Sequence, residues 1–168
     1  MTFGLWFEDN ENERIRIERL VDEAIDILAP HFGVNEEATW DKMQLPIVGI
    51  GKDPGYNPNF NIIHLPYGIK KGDSSIGHEV SHWFHKQLNK KVFSENINYK
   101  NDDLIEFIAL YGGIIYVGLA RLLENNQLTK RFTLQKLVEM SREEIAEQIP
   151  ELSKEYNHLL FEEVKIIE

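Results

Sequence analysis

The sequence contains no cysteine. That excludes disulfide stapling, a thiolate nucleophile and every zinc site built with sulfur, leaving His, Asp and Glu as the strong metal ligands. Cationic surface is scarce as well: 18 Lys and Arg stand against 28 Asp and Glu, a formal net charge of -10. With no Lys/Arg cluster, a phosphate backbone has little to bind, so no nucleic-acid partner is expected. Long apolar runs are missing too. The longest uncharged stretch, Phe107 to Ala120, has 14 residues, short of the roughly 18 that a membrane-spanning helix needs. It reads as a buried core helix, and no membrane partner is expected. The amino-terminal MTFGLWFEDNENE turns acidic where a secretory signal needs a basic stretch and a longer apolar run, so the expected location is the cytoplasm. No repeat, low-complexity tract or Gly/Ser linker divides the chain, which predicts a single domain over residues 1–168.

What is present is enough apolar surface for a core, at 42% hydrophobic residues, far from the composition of a disordered chain. Asp9-Asn10 offers caps for an amphipathic helix over about residues 11–29, with Ile17, Leu20, Val21, Ala24 and Leu28 on one stripe and Pro30 beyond it. Residues 45–50 and 60–65 read as short strands, an antiparallel pair joined by the turn-rich segment 51–59. Pro46 and Pro66 belong at strand ends or on a sheet edge because they cannot donate to a ladder. Asp73-Ser74-Ser75 caps a second helix that runs to about Leu88, and Asn101-Asp102-Asp103 caps a third, apolar nearly all round, that runs to about Glu124. Gly112, Gly113 and Gly118 weaken this helix and point to close packing. Thr133, Ser141 in its capping box with Glu144, and Pro150 introduce shorter helices that form a helical cover.

The chemistry concentrates in Ile76-Gly77-His78-Glu79-Val80-Ser81-His82. On a helix, His78 and His82 lie one turn apart on one face, so both imidazoles can reach one ion. Glu79 points about 100° away, beyond ideal ligation but able to contact a water on the open side of the metal, a general-base position. A catalytic zinc takes three protein ligands and keeps a fourth place for water. Glu106 is the choice for the third: it lies in the apolar third helix, where an unpaired carboxylate is expensive to bury and a metal would neutralise it.

These residues resemble those of the gluzincin metallopeptidases, particularly the small single-domain minigluzincins, over roughly residues 55–113. Gly55-Tyr56-Asn57-Pro58 followed by Asn61-Ile62-Ile63-His64-Leu65-Pro66 looks like the edge strand before the active-site helix. His78-Glu79-Val80-Ser81-His82 matches the zinc motif, and Glu106 with Ala109 matches the glutamate helix. The resemblance implies a small α+β zincin-like domain with a short, mostly antiparallel sheet whose edge binds an extended peptide. It also implies one Zn²⁺ on His78, His82 and Glu106, Glu79 polarising the attacking water, and a peptide or protein substrate. The position four after the glutamate, which is acidic in many gluzincins, is Leu110 here, leaving Asp102 or Asp103 to orient an imidazole. For the oxyanion-stabilising role that the family gives to a His or Tyr, Tyr111, Tyr116, Tyr156 and His158 all remain open.

The remaining candidates read more plainly. His85 follows the motif on the same face but sits about 10 Å along the axis from His78, too far to share the ion, and is expected at the surface or beside the ligands. His64 reads as a half-buried strand histidine, Trp83 and Phe84 as core anchors, and Asp102-Asp103 as cap and solvent groups. The rival to an enzyme is a non-catalytic or latent zincin-like interaction module with a structural metal, whose acidic tail Lys165-Ile166-Ile167-Glu168 is a candidate to lie across the cleft.

Overall fold

A computed structural model describes residues 3–94 and 102–167, with side chains described for 10–93 and 102–163. The described residues form an α+β arrangement of ten α-helices, one 3-10 turn and a three-stranded sheet. Among them, no helix is long and apolar enough to cross a membrane.

Helix α1 spans Phe3–Leu28 and continues into a 3-10 turn at Ala29–Phe32. It does not start at Asp9-Asn10: Phe3 to Glu8 contain no proline or β-branched residue to stop a helix, so these two cap residues lie inside it. Its stripe of Ile17, Leu20, Val21, Ala24 and Leu28 is buried as expected. Gly33, in the left-handed region at φ 79, closes the turn. The short helix α2 (Glu37–Trp40) leads to strand β1 (Ile47–Ile50).

The sheet differs from the antiparallel pair read from the sequence. Its order is β1-β3-β2, with β2 at Gly55–Asn57 and β3 at Ile62–Leu65. β3 pairs parallel with β1, Ile47 opposite Ile62, and antiparallel with β2, Tyr56 opposite Ile63. Part of the supposed loop forms a strand, takes one side of β3 through a tight hairpin, and leaves β1 the other side. The sheet is mixed rather than mostly antiparallel, and the strand preceding the motif helix is central, not an edge. Asn61, at φ 54, turns this hairpin. Its side chain accepts from the Tyr56 hydroxyl at 2.9 Å and donates to the carbonyls of Gln44 and Leu45. Pro46 and Pro66 flank β1 and β3, outside the ladders.

Helix α3 (Ser74–Leu88) starts at Asp73, whose carboxylate accepts the Ser75 N–H at 2.9 Å. Helix α4 (Lys90–Ser94) follows, and α5 (Asp103–Tyr116) opens on Asp102, which accepts the Ile105 N–H at 3.1 Å. The helix ends at Tyr116, not near Glu124. Gly118, at φ 78, turns the chain there, and its N–H and that of Leu119 close on the carbonyls of Ile115 and Ile114. Helices α6 (Arg121–Glu124), α7 (Gln127–Arg131), α8 (Leu134–Glu139), α9 (Arg142–Gln148) and α10 (Leu152–Ile167) complete the cover. Thr133 caps α8, and Ser141 with Glu144 forms the expected capping box of α9.

Helices α3 and α5 pack closely at the centre because glycine lets them. A Cβ on Gly112 would collide with Ser81, one on Gly77 would press on Tyr116 at 2.5 Å, and one on Gly113 would meet the Ser74 carbonyl at 3.3 Å. Gly118 faces open space, so it serves the turn rather than this contact. Trp83 and Phe84 are fully buried; Phe84 stacks on Phe32 at 4.7 Å, and the Trp83 indole donates to the Gln44 carbonyl.

Candidate metal centre

The close approach of α3 and α5 sets three side chains against one another. The Glu106 carboxylate bridges both imidazoles, with Oε2 3.2 Å from His78 Nε2 and Oε1 3.3 Å from His82 Nε2. The two rings stand edge to face with centroids 4.8 Å apart. One ligand atom from each of the three residues falls within 4.8 Å of the others, and among the described residues this is the only His, Asp and Glu group so arranged.

The donor chemistry fits a divalent ion. Tetrahedral zinc with arms of about 2.1 Å separates its ligand atoms by about 3.4 Å, close to the spacing of Glu106 from each imidazole. Two imidazoles and a carboxylate with no thiolate also favour zinc over the harder cations. Without an ion, the three groups hold one another by charge and hydrogen bonding, so a metal would compete with the proton on His78. Burial raises the Glu106 carboxyl, but hydrogen bonds from His78 and His82 outweigh it and bring the group down to about 2. Burial lowers His78, and the Glu106 hydrogen bond with the nearby Glu79, Glu106 and Glu163 charges raises it above its ordinary value.

Glu79 is 7% exposed and lines a cavity of about 320 Å³ together with His78 and Leu110. The far wall of this cavity is α10, through Tyr156, Leu160 and Glu163. These three positions lie at i, i+4 and i+7 on one helical face, a spacing present in the sequence but not connected there with the motif. Ser74, at the start of α3, lines the same cavity as Glu163. Glu163 Oε2 is shielded from solvent with no hydrogen-bond partner among the described residues. Burial raises the Glu163 carboxyl, against the opposing effects of His78 and Ser74.

The four residues left open for oxyanion stabilisation separate clearly. The Tyr111 hydroxyl donates to the Phe132 carbonyl at 3.2 Å, the Tyr116 hydroxyl accepts from Gly72 N–H at 3.4 Å, and His158 is exposed. Tyr156 lines the cavity, its hydroxyl raised by burial and by the Glu106, Asp103 and Glu163 carboxylates, so that it stays a donor. Asp102 is engaged by the Ile105 N–H and the Arg142 guanidinium, and Asp103 accepts from the Ser153 hydroxyl. Asp102 is therefore a buried cap rather than a solvent group.

His85 is not at the surface. It is fully buried, edge on to Phe93, and neither ring nitrogen has a hydrogen-bond partner among the described residues. His64 is half-buried on β3, outside the metal group. Its ring occupies the space that a Cβ on Gly51 or Gly55 would need, and Nδ1 lies 2.8 Å from the Asp53 carbonyl. The side chains of the proposed tail, Lys165 to Glu168, lie outside the described residues; it is the middle of α10 that meets the cleft.

Comparison with protein-family profiles, with curated proteins and with solved structures returned no match.

Proposed function

We propose that the chain is a zincin-like, zinc-dependent peptidase of the gluzincin type, acting in the cytoplasm on peptide or protein substrates. The observation that carries this reading is the convergence of His78, His82 and Glu106 beside the buried Glu79 at the wall of a cavity. His78 and His82 would hold the ion through Nε2 and Glu106 through its carboxylate. Zinc bound there would acidify a water and polarise a carbonyl.

The chain's own residues supply the rest. Glu79 accepts a proton as the water oxygen adds to the carbonyl carbon, and returns it to the departing amine nitrogen as the C–N bond breaks. Tyr156, which lines the same cavity and is kept protonated by its surroundings, would donate to the developing oxyanion. Leu110 and Leu160 give the cavity its apolar wall.

Metal analysis of untagged protein tests the reading, followed by a peptide-library cleavage screen. About one zinc per chain, retained in Glu79→Gln while cleavage is lost, is the expected result. The rival module uses the same three residues only to clamp α3 to α5; retained zinc with no cleavage by the parent protein would favour it. No bound metal after zinc is supplied would overturn the metal assignment.

A further inference from the structure

The cavity beside the metal group is small and acidic. At about 320 Å³ it is near the lower end of ligand pockets, and the residues lining it include Glu79 and Glu163 but no Lys or Arg. Glu163 is the unusual member. It belongs to α10, 57 residues beyond Glu106, and lines the cavity together with Ser74 at the start of α3. Its Oε2 is covered by protein yet unbonded among the described residues, an arrangement that is expensive unless something arrives to pair with it.

Besides a water that an entering group would displace, three partners are open to this oxygen, and two fail on geometry and chemistry. The metal is one, but Glu163 is not among the residues whose ligand atoms cluster; that group is His78, His82 and Glu106. His78 is another, but an imidazole that binds an ion through Nε2 is neutral and no longer supplies a counter-charge. The third is a cationic group on whatever enters the cavity. A compact ammonium suits a single unpartnered carboxylate oxygen in a small cavity, and it needs no planar fork of acceptors as a guanidinium does.

We infer that Glu163 is a specificity-determining residue that receives a substrate ammonium group, either a free peptide amino terminus or a lysine side chain next to the scissile bond. This rests on the peptidase reading for the word substrate; the ammonium subsite itself is a binding property. Its position on the same face of α10 as Tyr156, two turns away, sets the amine about 10 Å along the helix from the oxyanion donor. A short peptide spans that distance.

Calorimetric titration of zinc-supplied, full-length Glu79→Gln protein tests the inference without turnover. Three probes are compared: a tripeptide amide of alanine with a free amino terminus, its N-acetyl form, and an N-acetyl form carrying one lysine. The expected result is that the free-amine or the lysine probe binds at least about tenfold more tightly than the neutral probe. Adding Glu163→Gln should remove that difference while leaving the circular dichroism and metal content unchanged. Whichever charged probe shows the preference identifies the source of the ammonium.

Equal binding of all probes, a preference that survives Glu163→Gln, or binding of none overturns the inference. If neutral peptides are nevertheless cleaved by the parent protein, the peptidase reading stands without it. If a charged probe is preferred but the parent cleaves nothing, the subsite stands and the peptidase reading fails.

Discussion

His82 and His85 sit one turn apart on the same face of α3, both buried, and their surroundings make them different groups. At His82 and its neighbour His78, α5 brings Glu106 within 3.3 Å, and the carboxylate holds both rings in one arrangement. At His85, the ring meets Phe93, and burial, with the nearby His82, drives its pKa down to about 3 against the opposing pull of Asp102. Asp102 is already engaged by the α5 cap and Arg142. The difference lies in what the facing helix supplies, not in the residue or its place on α3.

Removing the facing carboxylate should collapse this difference. Glu106→Ala and His82→Ala should each lose tightly bound zinc, read by elemental analysis, and with it all hydrolysis. Both should also lose the stabilisation that zinc adds, about 2.7 kcal/mol for an ion held at a hundred times its Kd. Zinc retained at one per chain in either variant would remove that residue from the ligand set. His85→Leu should leave the zinc content as it was.

Glu79→Gln comes next in size. Losing a positioned general base costs about 10²- to 10⁴-fold in rate, while the Gln keeps the shape of the cavity wall and the three ligands remain. Peptide cleavage measured beside zinc content separates this from a folding defect. A variant that cleaves at the parent rate would move the base to another residue.

How much of this was legible depended on how local the cause was. The caps at Asp73, Asp102, Thr133 and Ser141 are each written within four residues, and each is used. The His78 and His82 pairing follows from helical spacing, and Glu106 from the expense of a carboxylate among apolar neighbours; both are brought together. The sheet departs from its sequence pattern because pairing partners are chosen across the chain: nothing in 45–50 and 60–65 alone reveals that Gly55–Asn57 will occupy one side of β3. Tyr156 and Glu163 are hidden for the same reason, since α10 meets the site only through tertiary packing. The end of α5 is written at Gly118, but a glycine after an apolar helical run reads as a packing contact until the structure shows its left-handed turn and open surroundings.

The His85 end should reveal itself in acid. Its folded pKa lies below the ordinary value of 6.5, so between about pH 6 and 3 the unfolded chain binds the proton that the folded chain refuses. Stability from this group is present above pH 6.5 and falls as the pH drops, by up to about 1.4 kcal/mol for each pH unit. Urea unfolding of metal-free protein at several pH values measures it. His85→Leu should flatten that part of the profile, and an unchanged slope would mean that His85 is already protonated or solvated in the folded chain.

The smallest effect probes what both ends of α3 share, its closeness to α5. In Gly112→Ala the new methyl would collide with Ser81, whose hydroxyl is already held by the Gly77 carbonyl at 2.7 Å. Ala gains up to about 1 kcal/mol over Gly in helix propensity, but overpacking a tight contact costs about 1 to 3 kcal/mol. The net change should be a modest loss of stability, seen as a lower Tm, with weaker zinc binding if the helices part at the ligands. Adding Ser81→Gly removes the obstructing side chain and should restore metal affinity more fully than Tm, because the second glycine weakens α3 itself. If Gly112→Ala alone raises Tm with zinc binding unchanged, the helices have slack at that crossing, and the ligand spacing is set elsewhere.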